Sequence, residues 1–266
     1  MYAIEHERPG TVAAAAELLK STGGRALAGG QTLVAAMKTR LAAPGTLVDL
    51  GAIRELRGIR REGNTLVIGA MMRHAEVGAS DEVQRAIPAL AELAGGIGDR
   101  QVRNMGTMGG SVANNDPAAC YPSAVVALGA TIRTTERTIP AEDFVVGMYE
   151  TALREGELVT EIAFPVPRRA GYVKFKQQAS RFALVGVFVA DTGSDVRVAV
   201  TGAASAVFRA TALEQALARS FTPEAARAVQ ITPESLASDL HASAEYRAHL
   251  VPVIAARAVS SALGQA

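Results

Sequence analysis

The segment 104–120, NMGTMGGSVANNDPAAC, holds the adjacent glycines Gly109 and Gly110, the adjacent asparagines Asn114 and Asn115, and an Asp116-Pro117 step. Asp116 is its one charged side chain, and the composition is too polar and too glycine-rich for a core strand or a helix. It reads as a loop. At its centre, Thr107-Met108-Gly109-Gly110-Ser111 places a hydroxyl on each side of a glycine pair. The earlier stretch LAGGQTLVAAMKTRL (27–41) repeats those ingredients as Ala28-Gly29-Gly30-Gln31-Thr32.

The first of these segments lies between a short apolar run, RALAGG, and a helical pattern with Leu33, Met37, Arg40 and Leu41 on one face. GTLVDLGAI then returns to strand, so the spacing predicts a βαβ-like unit whose turn is the glycine pair. A helix N-terminus exposes unpaired N–H groups and a partial positive charge. Glycines let a ligand approach that backbone, and Thr32 adds a hydroxyl, which together suit an anion. The same glycines also suit an ordinary left-handed turn. Two such segments point to two anionic groups, or to one pyrophosphate held from both sides. Asn114, Asn115 and Asp116 can take sugar or amide groups. Neither G-x-G-x-x-G nor a phosphate-binding loop ending in Gly-Lys-Ser/Thr occurs.

The rest of the pattern is α+β. Residues 10–20 read as a helix, NTLVIGAMM as a strand, DEVQRAIPALAELAGGI as one helix and YPSAVVALGA as a short helix. TIRTTERTIP and ELVTEIAFPVP read as strands, and PVPRRAG (165–171) as a linker. Beyond it come two or three strands and three helices, FRATALEQALARS, TPEAARAVQ and a last one that Pro252 should kink or interrupt. Of the 266 residues, 27 are Lys or Arg and 26 Asp or Glu, for a net charge of +1, which favours neither nucleic acid nor a membrane surface as partner. No apolar run is long enough to span a bilayer, and MYAIEHERPG lacks the features of a signal peptide. Cys120, the only cysteine, excludes an internal disulfide and a cysteine-ligated cluster, reads as a small buried residue, and suits a reducing cytoplasm. His74 with Glu76, and His241 with Glu245 and His249, lack the further ligands a metal site needs. Arg100 and Arg103 are read as pairing with Asp99 or facing a partner chain.

LAGGQTLVAAMKTRL followed by LVDL, DRQVRNMGTMGGSVANNDPAACYPSAVVALGATI (99–132) and YVKFKQQASRFALVGVFVA (172–190) together resemble the FAD-binding medium subunit of the molybdenum hydroxylases, the carbon monoxide dehydrogenase and xanthine dehydrogenase group. The resemblance implies a two-lobed FAD-binding domain of the PCMH type over 1–167, with lobes at about 1–57 and 58–167. A smaller C-terminal domain of a short antiparallel sheet and helices would follow over 168–266. It implies that FAD contacts Ala28, Gly29, Gly30, Gln31, Thr32 and Leu33, then Ile97, and Thr107, Met108, Gly109, Gly110 and Ser111. Asn115, Asp116 and Cys120 belong to the same set, as do Lys174, which looks like the family's flavin-contacting lysine, and Phe182, at a position that can hold a tyrosine. Many relatives have an aspartate at the place of Cys120. A molybdenum-cofactor large subunit and a 2Fe–2S small subunit are the implied partners, and no side chain here is implied to be catalytic. The flavin carries the redox chemistry and the protein supplies binding and orientation. The alternatives are a self-contained FAD-dependent oxidoreductase, since one fold hosts many reactions, and a non-catalytic scaffold.

Overall fold

The computed structural model describes residues 2–265. The chain forms three packed units. In the first, β1 (Glu5–Glu7), β2 (Arg25–Leu27) and β3 (Thr46–Asp49) make a parallel sheet in the order β1-β3-β2, with α1 (Val12–Thr22) and α2 (Leu33–Lys38) as crossovers. α1 starts where the Thr11 hydroxyl caps Ala14 N and ends at Gly23 with φ 61°. Its apolar face buries Ala15 and Leu19 against Val48, Leu50, Ile53 and Leu56.

The second unit begins with β4 (Ile59–Glu62) and β5 (Thr65–Gly69). A run of helices follows: α3 (His74–Ala79), α4 (Asp81–Ala86), α5 (Pro88–Gly95), α6 (Arg100–Met105), α7 (Met108–Asn114) and α8 (Tyr121–Ala127). Then come β6 (Thr131–Thr134), β7 (Thr138–Pro140), α9 (Ala141–Phe144), the small hairpin β8 (Val145–Gly147) and β9 (Glu150–Thr151), and β10 (Val159–Pro165). The sheet is antiparallel in the order β4-β5-β10-β6-β7, so its central strand arrives last. The third unit is an antiparallel sheet of β11 (Arg169–Lys176), β12 (Ala183–Asp191), β13 (Val196–Thr201) and β14 (Phe208–Arg209), covered by α10 (Thr211–Arg219), α11 (Pro223–Arg227) and α12 (Ala244–Ala262). Every residue of β12 is buried, as expected for a strand packed on both faces. One face joins the second unit, because Tyr172, Phe188, Ala190, Ala199 and Val207 belong to the same apolar cluster as Leu90, Tyr121 and Phe164. The other packs on α12 through Val187, Val189, Val251 and Ile254.

Several sequence expectations change. The glycine segment is not a loop throughout: residues 108–114 are α7, started by the Thr107 side chain accepting from Gly110 N and ended by Asn115 at φ 45°. Tertiary packing overrides the low helix propensity of two glycines here. The expected helix over 81–97 is two helices, because Pro88 occupies the first position of α5 and cannot continue α4. The expected linker at 165–171 shrinks to 166–168, since β10 and β11 run into it from both sides. Phe208–Arg209 pairs as a fourth strand instead of opening a helix. α12 runs through Pro252 without interruption, its apolar side buried in the third unit.

Candidate functional site

The two glycine segments meet. Gly29 lies so close to the second segment that a Cβ on it would sit 2.2 Å from Met105 O, and a Cβ on Gly110 would sit 3.3 Å from Ala28 Cβ. The contact joins the first and second units through residues 28–29 and 105–110. Gly30 needs its freedom for a different reason, a φ of +70°. Gly109 packs on Ala70, where a Cβ would lie 2.5 Å from Ala70 Cβ. Three of the four glycines thus serve the approach of backbone to backbone or a left-handed turn, before any ligand is considered.

The hydrogen bonds separate the two segments. In the second, Met108 N donates to Met72 O at 2.9 Å and Gly109 N to Ala70 O at 2.8 Å, while Gly110 N donates to Thr107 Oγ1 at 3.2 Å and Ser111 N to Thr107 O at 3.0 Å. The free amides expected at this turn are therefore occupied, and the Thr107 hydroxyl is a helix cap. In the first segment, by contrast, the backbone N–H groups of Gly29, Gly30, Gln31 and Thr32 have no acceptor among the described residues. Gln31 and Thr32 are exposed and Leu33, first residue of α2, is half-buried. Thr32 makes no side-chain cap, and the Gln31 amide folds back to Gly29 O at 3.2 Å. Four consecutive N–H groups without an acceptor, at a left-handed turn, are available to an anion such as phosphate.

Other expected residues separate into two groups. Asn115 is only 2 % exposed, and its Nδ2 donates to Gly147 O at 2.8 Å and Glu150 O at 2.9 Å, so its amide holds the β8–β9 hairpin. Asp116 accepts from Ala118 N at 2.8 Å, an Asx turn, and burial and this carboxylate push the Tyr149 phenol up. Ile97, Cys120, Lys174 and Phe182 fall around a turn that the sequence did not single out, residues 177–182 between β11 and β12. Arg103 Nη1 donates to Ile97 O at 2.9 Å and Gly98 O at 3.0 Å, and Arg181 Nη1 reaches Gly98 O at 3.4 Å. Lys174 Nζ donates to Arg181 O at 2.9 Å and to Cys120 Sγ at 3.3 Å. Phe182, on the same turn, is 51 % exposed. Arg103 and Arg100 form no ion pair with Asp99, which caps α6 through Val102 N.

The stretch 117–119 is fixed by the third unit: Thr201 Oγ1 donates to Pro117 O at 2.8 Å and Ala119 O at 2.7 Å, and Gly202 N to Pro117 O at 2.7 Å. Behind Gly106, His74 is buried beside Tyr121, and burial followed by the Arg103 charge lowers its pKa to about 4. No pattern in the sequence announced Thr201, His74 or Met105 as neighbours of the site, because each acts through a contact distant along the chain. The QQAS run at 177–180 has no glycine, proline, asparagine or aspartate, so no local signal marked this turn. No group of three or more metal-ligating side chains occurs among the described residues. A surface groove of about 680 Å³ between α1 and residues 135–136 and 160–161, lined by Val12, Lys20, Glu55 and Glu136, contains none of the site residues.

An elongated cofactor with a pyrophosphate fits these observations, since the anion cradle and the Ile97–Lys174–Phe182 wall are separate and chemically distinct. The FAD-binding domain of molybdopterin dehydrogenases matches residues 2–167, and the C-terminal domain of carbon monoxide dehydrogenase flavoproteins matches residues 170–262. The carbon monoxide dehydrogenase medium chain of Hydrogenophaga pseudoflava is 36% identical over 97% of this chain and 96% of its own. The nicotine 6-hydroxylase medium subunit of Paenarthrobacter nicotinovorans is 35% identical over 98% and 97%. A solved structure of carbon monoxide dehydrogenase from Hydrogenophaga pseudoflava superposes with a TM-score of 0.88, covering 99% of this chain and 98% of that one. No helix among the described residues is long and apolar enough to cross a membrane. Fold, cradle and likeness converge: the chain belongs to the FAD-binding medium subunits of the molybdenum hydroxylases, the family of the carbon monoxide dehydrogenase medium chains.

Proposed function

We propose that this chain is the flavin subunit of a cytoplasmic molybdenum hydroxylase assembly, passing electrons from iron–sulfur clusters on a small subunit to an external acceptor. A large subunit with the molybdenum cofactor would oxidise the substrate. The observation that carries the reading is the run of unclaimed N–H groups from Gly29 to Thr32, set against the second glycine segment. These donors, with the hydroxyls of Thr32 and Ser111, would hold the pyrophosphate. Ile97, Lys174 and Phe182 would line the ring end, with Lys174 offering an ammonium to a ring heteroatom. Bound FAD supplies the redox chemistry, and the residues named orient it and exclude water from one side. The single cysteine supports the reading that the other redox centres lie on partner chains. We divide the chain for this purpose into 1–57, 58–167 and 168–266.

Absorbance of the purified full chain titrated with FAD tests the cofactor reading, with one flavin per chain expected. Mixing FAD-loaded chain anaerobically with candidate hydroxylase substrates tests the subunit reading. Flavin bleaching is expected only when the molybdenum and iron–sulfur chains are present. Bleaching by substrate in the isolated chain would instead support a self-contained oxidoreductase.

A further inference from the structure

We propose that Arg181 is a positioning residue for Lys174, an inference that rests on the reading of that lysine as a contact to a flavin ring heteroatom. Arg181 lies in the 177–182 turn with a φ of 62°, a left-handed conformation uncommon outside glycine. Its N–H donates to Gln177 O at 2.9 Å, the bond by which a left-handed residue closes a helical turn, and glycine is the usual occupant of that place. The turn is also tied from within. Gln177 N donates to Phe182 O at 2.9 Å, and Gln177 Oε1 accepts from Ser180 N at 2.6 Å and from Ser180 Oγ at 3.0 Å. Strained backbone that a fold retains collects at functional sites, and Arg181 uses both its backbone and its side chain. Its carbonyl accepts from Lys174 Nζ at 2.9 Å, and its Nη1 reaches across to Gly98 O, beside Ile97, at 3.4 Å.

An ammonium carries three N–H donors. Two of those on Lys174 are taken, by Arg181 O and by Cys120 Sγ at 3.3 Å. The third has no acceptor among the described residues, and the two bonds already made fix its direction. Lys174 is half-buried, and turning the Arg181 carbonyl away would free its ammonium to swing toward solvent. A hydrogen bond and positive charge held at the ring favour the reduced flavin, which is how a protein tunes such a cofactor. Glycine adopts the left-handed conformation readily, whereas a β-branched residue there is an outlier. Arg181→Gly and Arg181→Val remove the same charge and the same reach to Gly98. A difference between them therefore reports the aim of the carbonyl alone.

The full chain without FAD is first acylated with limiting acetic anhydride, and the rate at Lys174 is read by peptide mass spectrometry, with the exposed Lys176 as internal reference. Arg181→Val should acylate Lys174 roughly tenfold faster than Arg181→Gly, the factor one hydrogen bond from a charged group carries. Arg181 is exposed, so both variants should fold, which circular dichroism checks, and Arg181→Thr repeats the β-branched arm. The second readout is the two-electron midpoint potential of the FAD-loaded chain at fixed pH. Arg181→Val should lie about 30 mV or more below Arg181→Gly, a tenfold change in the ratio of reduced to oxidised flavin. The acylation arm needs no cofactor, so a chain that binds no FAD sinks the cofactor reading and still decides whether Arg181 holds Lys174. The proposal is overturned if the glycine and β-branched variants acylate Lys174 equally, or if they share one flavin potential.

Discussion

Gly29 and Gln31 sit two residues apart in the cradle and contribute differently. Neither backbone N–H has an acceptor among the described residues, but only Gly29 is pressed against the second segment, 2.2 Å being all that a Cβ would have to Met105 O. Gly29→Ala should therefore separate the two segments, abolish FAD binding and lower the melting temperature. Gln31→Ala removes a side-chain bond to Gly29 O alone and should change flavin affinity by less than about 1 kcal/mol. Fluorescence titration with FAD alongside thermal unfolding distinguishes them, and equal losses would contradict the geometry. His74 supplies a second residue-scale test. Its pKa is lowered from 6.5 to about 4 in the folded chain, by burial first and then by the Arg103 charge. The unfolded chain then binds more protons between those values, so stability falls as pH drops from 6.5 toward 4, by about 3 kcal/mol in full. His74→Gln should flatten that part of the curve, measured by urea unfolding between pH 7 and 4. Glu157, whose burial is outweighed by its bonds to Arg137, Thr134 and Arg154 N and whose pKa falls to about 2, acts mainly below pH 4.5 and leaves the window for His74 open.

α7 and the β8–β9 hairpin stand or fall on Asn115. Its two side-chain bonds clamp the hairpin and its φ of 45° ends the helix. Asn115→Ala should cost roughly 2–4 kcal/mol, from two lost hydrogen bonds and a left-handed alanine. Asn115→Gly should cost about 1 kcal/mol less, since only the bonds are lost; chemical denaturation reads both. The same elements show what a sequence discloses. The β2–turn–α2–β3 unit was legible because its signals are local: an apolar run, two glycines and a helical stripe. α7 was not, because its formation depends on Ala70 and Met72 offering carbonyls to Met108 N and Gly109 N from a distant turn. The composition of the segment therefore pointed to the right place and the wrong conformation. The cradle was half legible, since glycine counts could not show which segment keeps its amides free. Cys120 and Lys174 were singled out separately by likeness to a family, yet their contact follows only from strand placement.

The second and third units share one apolar cluster in which Tyr172, Phe188 and Ala199 pack with Leu90, Tyr121 and Phe164. A fragment of residues 1–167 should therefore lack a fixed tertiary structure despite matching a whole family domain. Near-ultraviolet circular dichroism of the fragment should be weak while its far-ultraviolet signal persists. A cooperative melt of the fragment would show that the shared cluster is dispensable. Strand order carries a further consequence for synthesis on the ribosome. β5 and β6 both pair with β10, so neither has its central neighbour until residues 159–165 emerge, and the cluster stays open until β12 and β13 follow. The nascent chain thus displays an unpaired β5 edge from residue 69 and an unpaired β6 edge from residue 134 until β10 ends at residue 165, and an open apolar face until β13 ends at residue 201. Chains that emerge in this order are candidates for chaperone capture and for misassembly in crowded expression hosts. Slowing elongation after β6 would prolong that exposure, whereas slowing it after β13 would not.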